Sequence, residues 1–324
     1  MPLDHYVSQV HLKNFYSPKL DGLLYAIRKS DLKRFTPRSQ EICRIEDNST
    51  NAYLKEDRII EEFLKDVEPR YNASLVKLRE NNVDQECVSC IAGFAAYIVT
   101  CSPAAMRINS EPLKANLETT ARMLDEQGAF EKAPEALGEK SITELLQNGT
   151  VEFTVDRKYP QAMGIASVIR HVSIFGNSRW EILRNSETDD PFFTSDYPAA
   201  IEVVDINTPI NRIVPLAPDI AIRILPDIRL SGVKPDLSFA KFSASLRTPK
   251  RAEVLDINRL IVRCAEDLVL YRDDQAWIEG YVKKNRLYRV EPMTQELSYD
   301  EGAVNISTMR IRPRVDVHGA ADNT

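Results

Sequence analysis

Trp180-Glu181-Ile182-Leu183 … Phe192-Phe193-Thr194-Ser195-Asp196-Tyr197-Pro198 reads as two short apolar strands meeting at a polar corner. Asp196 stands at that corner, between a Thr-Ser pair and an aromatic-Pro dipeptide. Pro198 holds Tyr197 extended and fixes where the chain leaves. Downstream, residues 200–204, 212–214 and 220–225 are further β-branched runs. Pro191, Pro198, Pro209, Pro215, Pro218, Pro226 and Pro235 fall between these runs and mark strand ends rather than central strands. Residues 179–272 therefore form a β-rich part, closed by a helix over 253–266, with Asn258 among its apolar positions, and a last strand at 268–271.

Upstream of the corner the periodicity changes from two to 3.6. From residue 55 to about 81, Ile60, Phe63, Leu64, Val67, Tyr71, Leu75 and Leu78 recur at helical spacing, with Pro69 kinking the helix. Asp57, Glu61, Glu68 and Asn72 flank that apolar stripe as border positions. Helices follow over 85–100, ended by Pro103, over 112–127, and over about 160–175. A short helix begins at Ser141, with Glu144 at capping-box spacing. Before them, residues 23–28 and 33–36 read as a hairpin turned by Ser30-Asp31. The expectation is a single α+β domain over residues 1–290. It starts with a β-hairpin, and its helical middle (about 52–178) packs against a mainly antiparallel sheet. A variable, mobile tail is expected from 291 to 324.

Composition narrows the function classes. An apolar fraction of 43% supports a real core, and a net charge of −6 with scattered basic residues gives no broad field for capturing a polyanion. Cys43, Cys87, Cys90, Cys101 and Cys264 are an odd set, and no basic region followed by an apolar run opens the chain. Reduced thiols in the cytoplasm are expected. The most apolar window, 90–101, is too short for a bilayer and reads as a buried helix, so no membrane partner is expected.

His5-Tyr6-Val7 … Leu12-Lys13-Asn14-Phe15 resembles the opening His-Tyr-Val-Pro … Leu-x-x-Phe signature of an uncharacterised bacterial family, domain of unknown function 4238. The family's other features follow in order: the hairpin, a helix with a Glu-x6-Glu pair, the Trp strand, a Thr-Ser-Asp-x-Pro corner, a Pro-Leu-x-Pro strand entry and a late Asn-bearing helix. The resemblance covers about Asp4 to Asp273. Ser8 replaces the family's usual Pro, and the Arg common before Pro103 is missing here.

Each candidate residue has a chemical and a structural reading. Asp196 can ligate a hard cation or act as a general base, or it can set an Asx-turn toward Pro198. His5 can act as a catalytic acid or base near neutral pH, or it can tie the N-terminus to a carbonyl. Glu61 and Glu68, joined by Asp196, can hold Mg²⁺ or Mn²⁺, or they can pair with Arg58 and Lys65 at the helix border. Cys87-x-x-Cys90 lacks a second pair, which favours core cysteines over zinc or redox chemistry. Ser195 lies in no Gly-x-Ser-x-Gly, and neither a P-loop nor a dinucleotide glycine fingerprint occurs. His171 and His318 have no chemical context.

The leading expectation is an intracellular hydrolase acting on nucleic acid or a nucleotide, with His5, Glu61, Glu68 and Asp196 converging at one cleft. A non-catalytic binding protein is the alternative, and a toxin-like effector of phage defence is a role compatible with either.

Overall fold

The computed structural model of the protein describes residues 3–186, 190–205, 208–230, 232, 234–299 and 302–314. Strand β1 (Leu3–His5) pairs antiparallel with β4 (Arg44–Glu46), placing His5 opposite Arg44. Between them lie α1 (Gln9–Lys13) and the expected hairpin of β2 (Tyr25–Arg28) and β3 (Arg34–Phe35). The 55–81 segment divides where Pro69 removes a backbone donor: α2 (Ile59–Val67), a 3-10 turn over Glu68–Arg70, then α3 (Tyr71–Arg79).

Helix α4 (Gln85–Cys101) is apolar on nearly every face because it lies inside the molecule. Helix α7 (Lys158–Gly176) packs on it so closely that a Cβ on Gly164 would sit 1.9 Å from the carbonyl oxygen of Thr100. Between them run α5 (Pro103–Glu126) and α6 (Ile142–Gln147), the latter with the expected Ser141–Glu144 capping box. The third helix begins at Pro103 rather than at 112. Ser102 Oγ accepts from Ala105 N at 3.2 Å, so Pro103 stands at the first helical position, where its missing N–H costs nothing, and Pro112 is carried inside the helix.

Two sheets share the β-rich part. One has the order β10-β5-β9-β8-β7, built from β5 (Arg179–Arg184), β7 (Ala200–Glu202), β8 (Asn211–Ala217), β9 (Ile220–Leu225) and β10 (Ser243–Arg247). Its pairs are antiparallel except β10 with β5. The other has the order β3-β2-β11-β6, with β6 (Thr194–Ser195) and β11 (Leu268–Tyr271), and is antiparallel throughout. The two strands of the Trp180–Pro198 stretch therefore do not pair at a shared corner; they belong to different sheets. Nor does Pro215 end a strand. It sits within β8, between β7 and β9, where the register slips between Pro215 and Ala217 and relieves the lost donor.

The chain is closed by α8 (Arg251–Cys264) and α9 (Ala276–Asn285). Where a mobile tail was expected from 291, residues 288–313 form a two-stranded ribbon, β12 (Tyr288–Tyr299) with β13 (Gly302–Pro313), lying against α5. Pro292 is tolerated there because a two-stranded ribbon consists only of edges. The tail from 315, with His318, lies outside the described residues.

The architecture is α+β with mostly antiparallel sheets, and one contiguous apolar cluster runs from Val7 to Val290. All five cysteines are free and buried in it. No single helix among the described residues is long and apolar enough to cross a membrane.

Candidate functional site

A cleft of about 370 Å³ opens where β1 meets α2. The β1–β4 pair brings Asp4 and His5 to its edge, and α2 with the turn at Pro69 brings Glu61, Lys65 and Glu68. The His5 backbone is pinned, since Tyr97 OH donates to its carbonyl at 3.0 Å and Asn48 Nδ2 donates to Tyr97 OH at 3.3 Å. Cys43 (φ 53°) and Asp47 (φ 52°) flank β4 in the left-handed region, which side chains disfavour.

The carboxylates of the cleft differ in how much of them is free. Glu61 receives a bidentate grip from Arg58, whose Nε donates at 2.9 Å. Asp4 accepts from Ser49 N at 2.9 Å and lies 3.5 Å from Arg58 Nη2. Lys65 pairs with Glu62 at 2.6 Å rather than with either predicted carboxylate. Glu68 has no ion pair among the described residues. His5 is held below its ordinary pKa, chiefly by partial burial, with a backbone hydrogen bond at Ser39 opposing. Its Nε2 is covered and, among the described residues, has no hydrogen-bond partner.

Asp196 is absent from this cleft. It is 4% exposed, and its carboxylate accepts from the backbone N–H of Glu266 (2.9 Å), Asp267 (2.7 Å) and Leu268 (2.8 Å). It makes no Asx-turn either: the corner is turned by Ser195, whose Oγ accepts from Tyr197 N at 3.1 Å. Asp196 instead ties β6 to the α8–β11 connection, about 70 residues away. Burial raises its pKa to about 6, against the pull of the Leu268 and Asp267 N–H groups and the ammonium of Lys29. Lys29 is itself 1% exposed and donates to the carbonyls of Ala265 (2.5 Å) and Tyr288 (2.8 Å). Burial lowers it to about 8 while Asp196 holds it up.

The proposed Mg²⁺ or Mn²⁺ set of Glu61, Glu68 and Asp196 is therefore not assembled. Glu61 is gripped by Arg58, and the oxygens of Asp196 are taken by backbone donors in another part of the fold. Among the described residues no group of three or more His, Cys, Asp or Glu side chains is arranged to hold a metal ion.

Three polar residues have structural roles that the sequence did not assign to them. His11 is fully buried, its Nδ1 2.7 Å from Tyr71 OH and its Nε2 2.8 Å from Thr194 Oγ1, with its ring stacked on Phe94; burial drives its pKa to about 3. Its spacing of four from Phe15, on the buried face of α1, was the available signal. Asn258 donates to Pro191 O (2.9 Å) and accepts from Phe193 N (2.8 Å), clamping the segment that enters β6. Lys29, at the end of a strand, gave no signal.

Residues 4–275 match the model of one family, described as Protein of unknown function (DUF4238). No curated protein and no solved structure gives a significant match.

Proposed function

The chain belongs to the DUF4238 family, and on that premise we propose that the cleft lined by Asp4, His5, Glu61 and Glu68 is the active site of a hydrolase, with His5 as general base and Glu68 as its partner carboxylate. The observation that carries this reading is that, among the described residues, His5 Nε2 has no hydrogen-bond partner and Glu68 no ion pair, and both line one open cleft. A neutral imidazole with an unused nitrogen is the form a general base needs at neutral pH, and burial keeps the ring in that form. Nε2 is covered, so the reaction requires the ring to turn into the cleft. In this reading Glu68, whose charge acts on the ring, stabilises the imidazolium as it takes a proton from water. The excess of carboxylates over free cations favours an uncharged or cationic substrate. A nucleotide or nucleic acid would have to enter as its Mg²⁺ or Mn²⁺ complex, with the cation as part of the substrate.

A binding or interaction protein is the second reading. It is favoured by the fate of Asp196, the residue with the most pointed sequence context, which serves as an internal bracket. The discriminating experiment is a hydrolysis screen over esters, amides, glycosides, nucleotides, RNA and DNA, with and without Mg²⁺ and Mn²⁺, comparing the native chain with His5→Ala and Glu68→Gln. Activity lost in both folded variants supports the hydrolase; activity unchanged in His5→Ala, or none on any substrate, rejects it. A growth assay on expression addresses the toxin-like role in phage defence: growth arrest relieved by His5→Ala would tie that role to this cleft.

A further inference from the structure

A second cavity, of about 360 Å³, lies away from His5, between the end of α4, α5, α7, Tyr197 and the β13 strand of the ribbon. Its walls are largely apolar, with Ile108 and Leu113 from α5, Met163 from α7 and Met309 from β13. Arg212, on β8, supplies a cation to it. Arg212 is 7% exposed, so more than nine-tenths of the residue is out of water.

The guanidinium is held but not neutralised. One terminal nitrogen donates to Tyr197 OH at 3.2 Å and to Ala199 O at 3.4 Å; among the described residues the other reaches only the Met309 thioether sulfur, at 3.5 Å, a weak acceptor. None of the ion pairs among the described residues includes Arg212. Arg223, on the neighbouring strand β9, makes the contrast: with its side chain 12% exposed it pairs with Glu181 (2.7 Å), Glu202 (2.9 Å) and Glu253 (3.2 Å). Taking a charge out of water without a counter-charge is costly, and the fold provides that counter-charge for one buried arginine and withholds it from the other. The other titratable ring in the cavity does not supply it. His171 Nδ1 lies 3.0 Å from Ser167 O, and burial first, with Arg212 adding to it, keeps the ring below its ordinary pKa.

We infer that this cavity binds a small organic carboxylate with an apolar body, the carboxylate on Arg212 and the body between α5 and α7. A guanidinium presents a fork of N–H donors that matches a carboxylate. Tyr197 OH accepts from Arg212 and keeps its own proton to donate to the same anion. One unpaired cation balances one negative charge, which selects a monoanion over a phosphate dianion. The cavity lies within the size range of small-molecule sites, and Met163, 47% exposed, stands at its open side.

The test is isothermal titration of the full chain with octanoate, 1-octanol and inorganic phosphate, repeated on Arg212→Met and Met163→Trp. Octanoate should bind at least tenfold more tightly than octanol or phosphate. Arg212→Met should erase that preference and Met163→Trp should block entry, while His5→Ala leaves binding intact. Met163→Trp adds bulk at a half-exposed position, so it reports on the cavity even if Arg212→Met fails to fold. Equal binding of octanol and octanoate, preferred binding of phosphate, no binding of octanoate at millimolar concentration, or octanoate binding unchanged in Met163→Trp would each overturn the assignment.

Discussion

The His5 cleft and the Asp196 bracket are built from the same residue types, carboxylate, imidazole and lysine, and they use them in opposite ways. At the bracket the carboxylate, the ammonium and the imidazole are all taken up. Asp196 accepts three backbone N–H groups, Lys29 donates to two carbonyls, and both nitrogens of His11 have partners. At the cleft, among the described residues, His5 Nε2 has no hydrogen-bond partner and Glu68 makes no ion pair. A polar side chain whose hydrogen-bonding capacity is spent on the fold serves stability, and one with capacity in reserve beside an opening is available for chemistry.

That contrast breaks most decisively at Asp196. Asp196→Ala takes the acceptor from three partly buried N–H groups and the nearby negative charge from Lys29, and is expected to cost about 3–5 kcal/mol. Urea denaturation reads this directly, and a loss below about 1 kcal/mol would mean that the bracket is not structural.

His11→Ala should come next, at about 2–4 kcal/mol, through a cavity and the loss of two internal hydrogen bonds. It also carries an acid signature. His11 has a folded pKa near 3, below its ordinary 6.5, so its contribution is full above pH 6.5 and is lost as pH falls toward 3. The stability difference between the native chain and His11→Ala should therefore shrink from pH 7 to pH 5. A constant difference would show that the ring is not held neutral.

Lys29 gives a smaller effect with its window at the other end. Its folded pKa of about 8 lies below the ordinary 10.5, so the native chain gains stability as pH rises from about 8 to 10.5. Lys29→Met should lack that rise, and thermal melts of the two proteins across this range measure the difference.

The cleft residues should hardly matter to the fold. His5→Ala is expected to cost under about 1 kcal/mol, through one half-buried ring and its backbone hydrogen bond at Ser39, and Glu68→Gln under about 0.5 kcal/mol, because Glu68 makes no ion pair among the described residues. A loss at His5 as large as that at Asp196 would erase the distinction between the two regions.

What the sequence determined by itself was the kind and order of most elements. The amphipathic stripe of α2 and α3, the Ser141 capping box, the buried character of α4 and the β-branched or aromatic runs of β5, β8 and β9 are local signals, set by spacing and capping within a few residues. The failures arose where local signals were weak or read two ways. Pro103 can end one helix and begin the next, and the β12–β13 ribbon alternates too irregularly to stand out from a polar tail.

Which polar residues hold the fold was decided by tertiary structure alone. His11 finds its partners 60 and 183 residues away, and Asp196 finds its own at the far end of α8. The sequence brought His5, Glu61 and Glu68 into one candidate set, and the fold places all three on one cleft. It also assigned Asp196 to them, and there it failed, because whether a carboxylate is spent or spare depends on which distant backbone donors reach it, and no spacing along the chain encodes that.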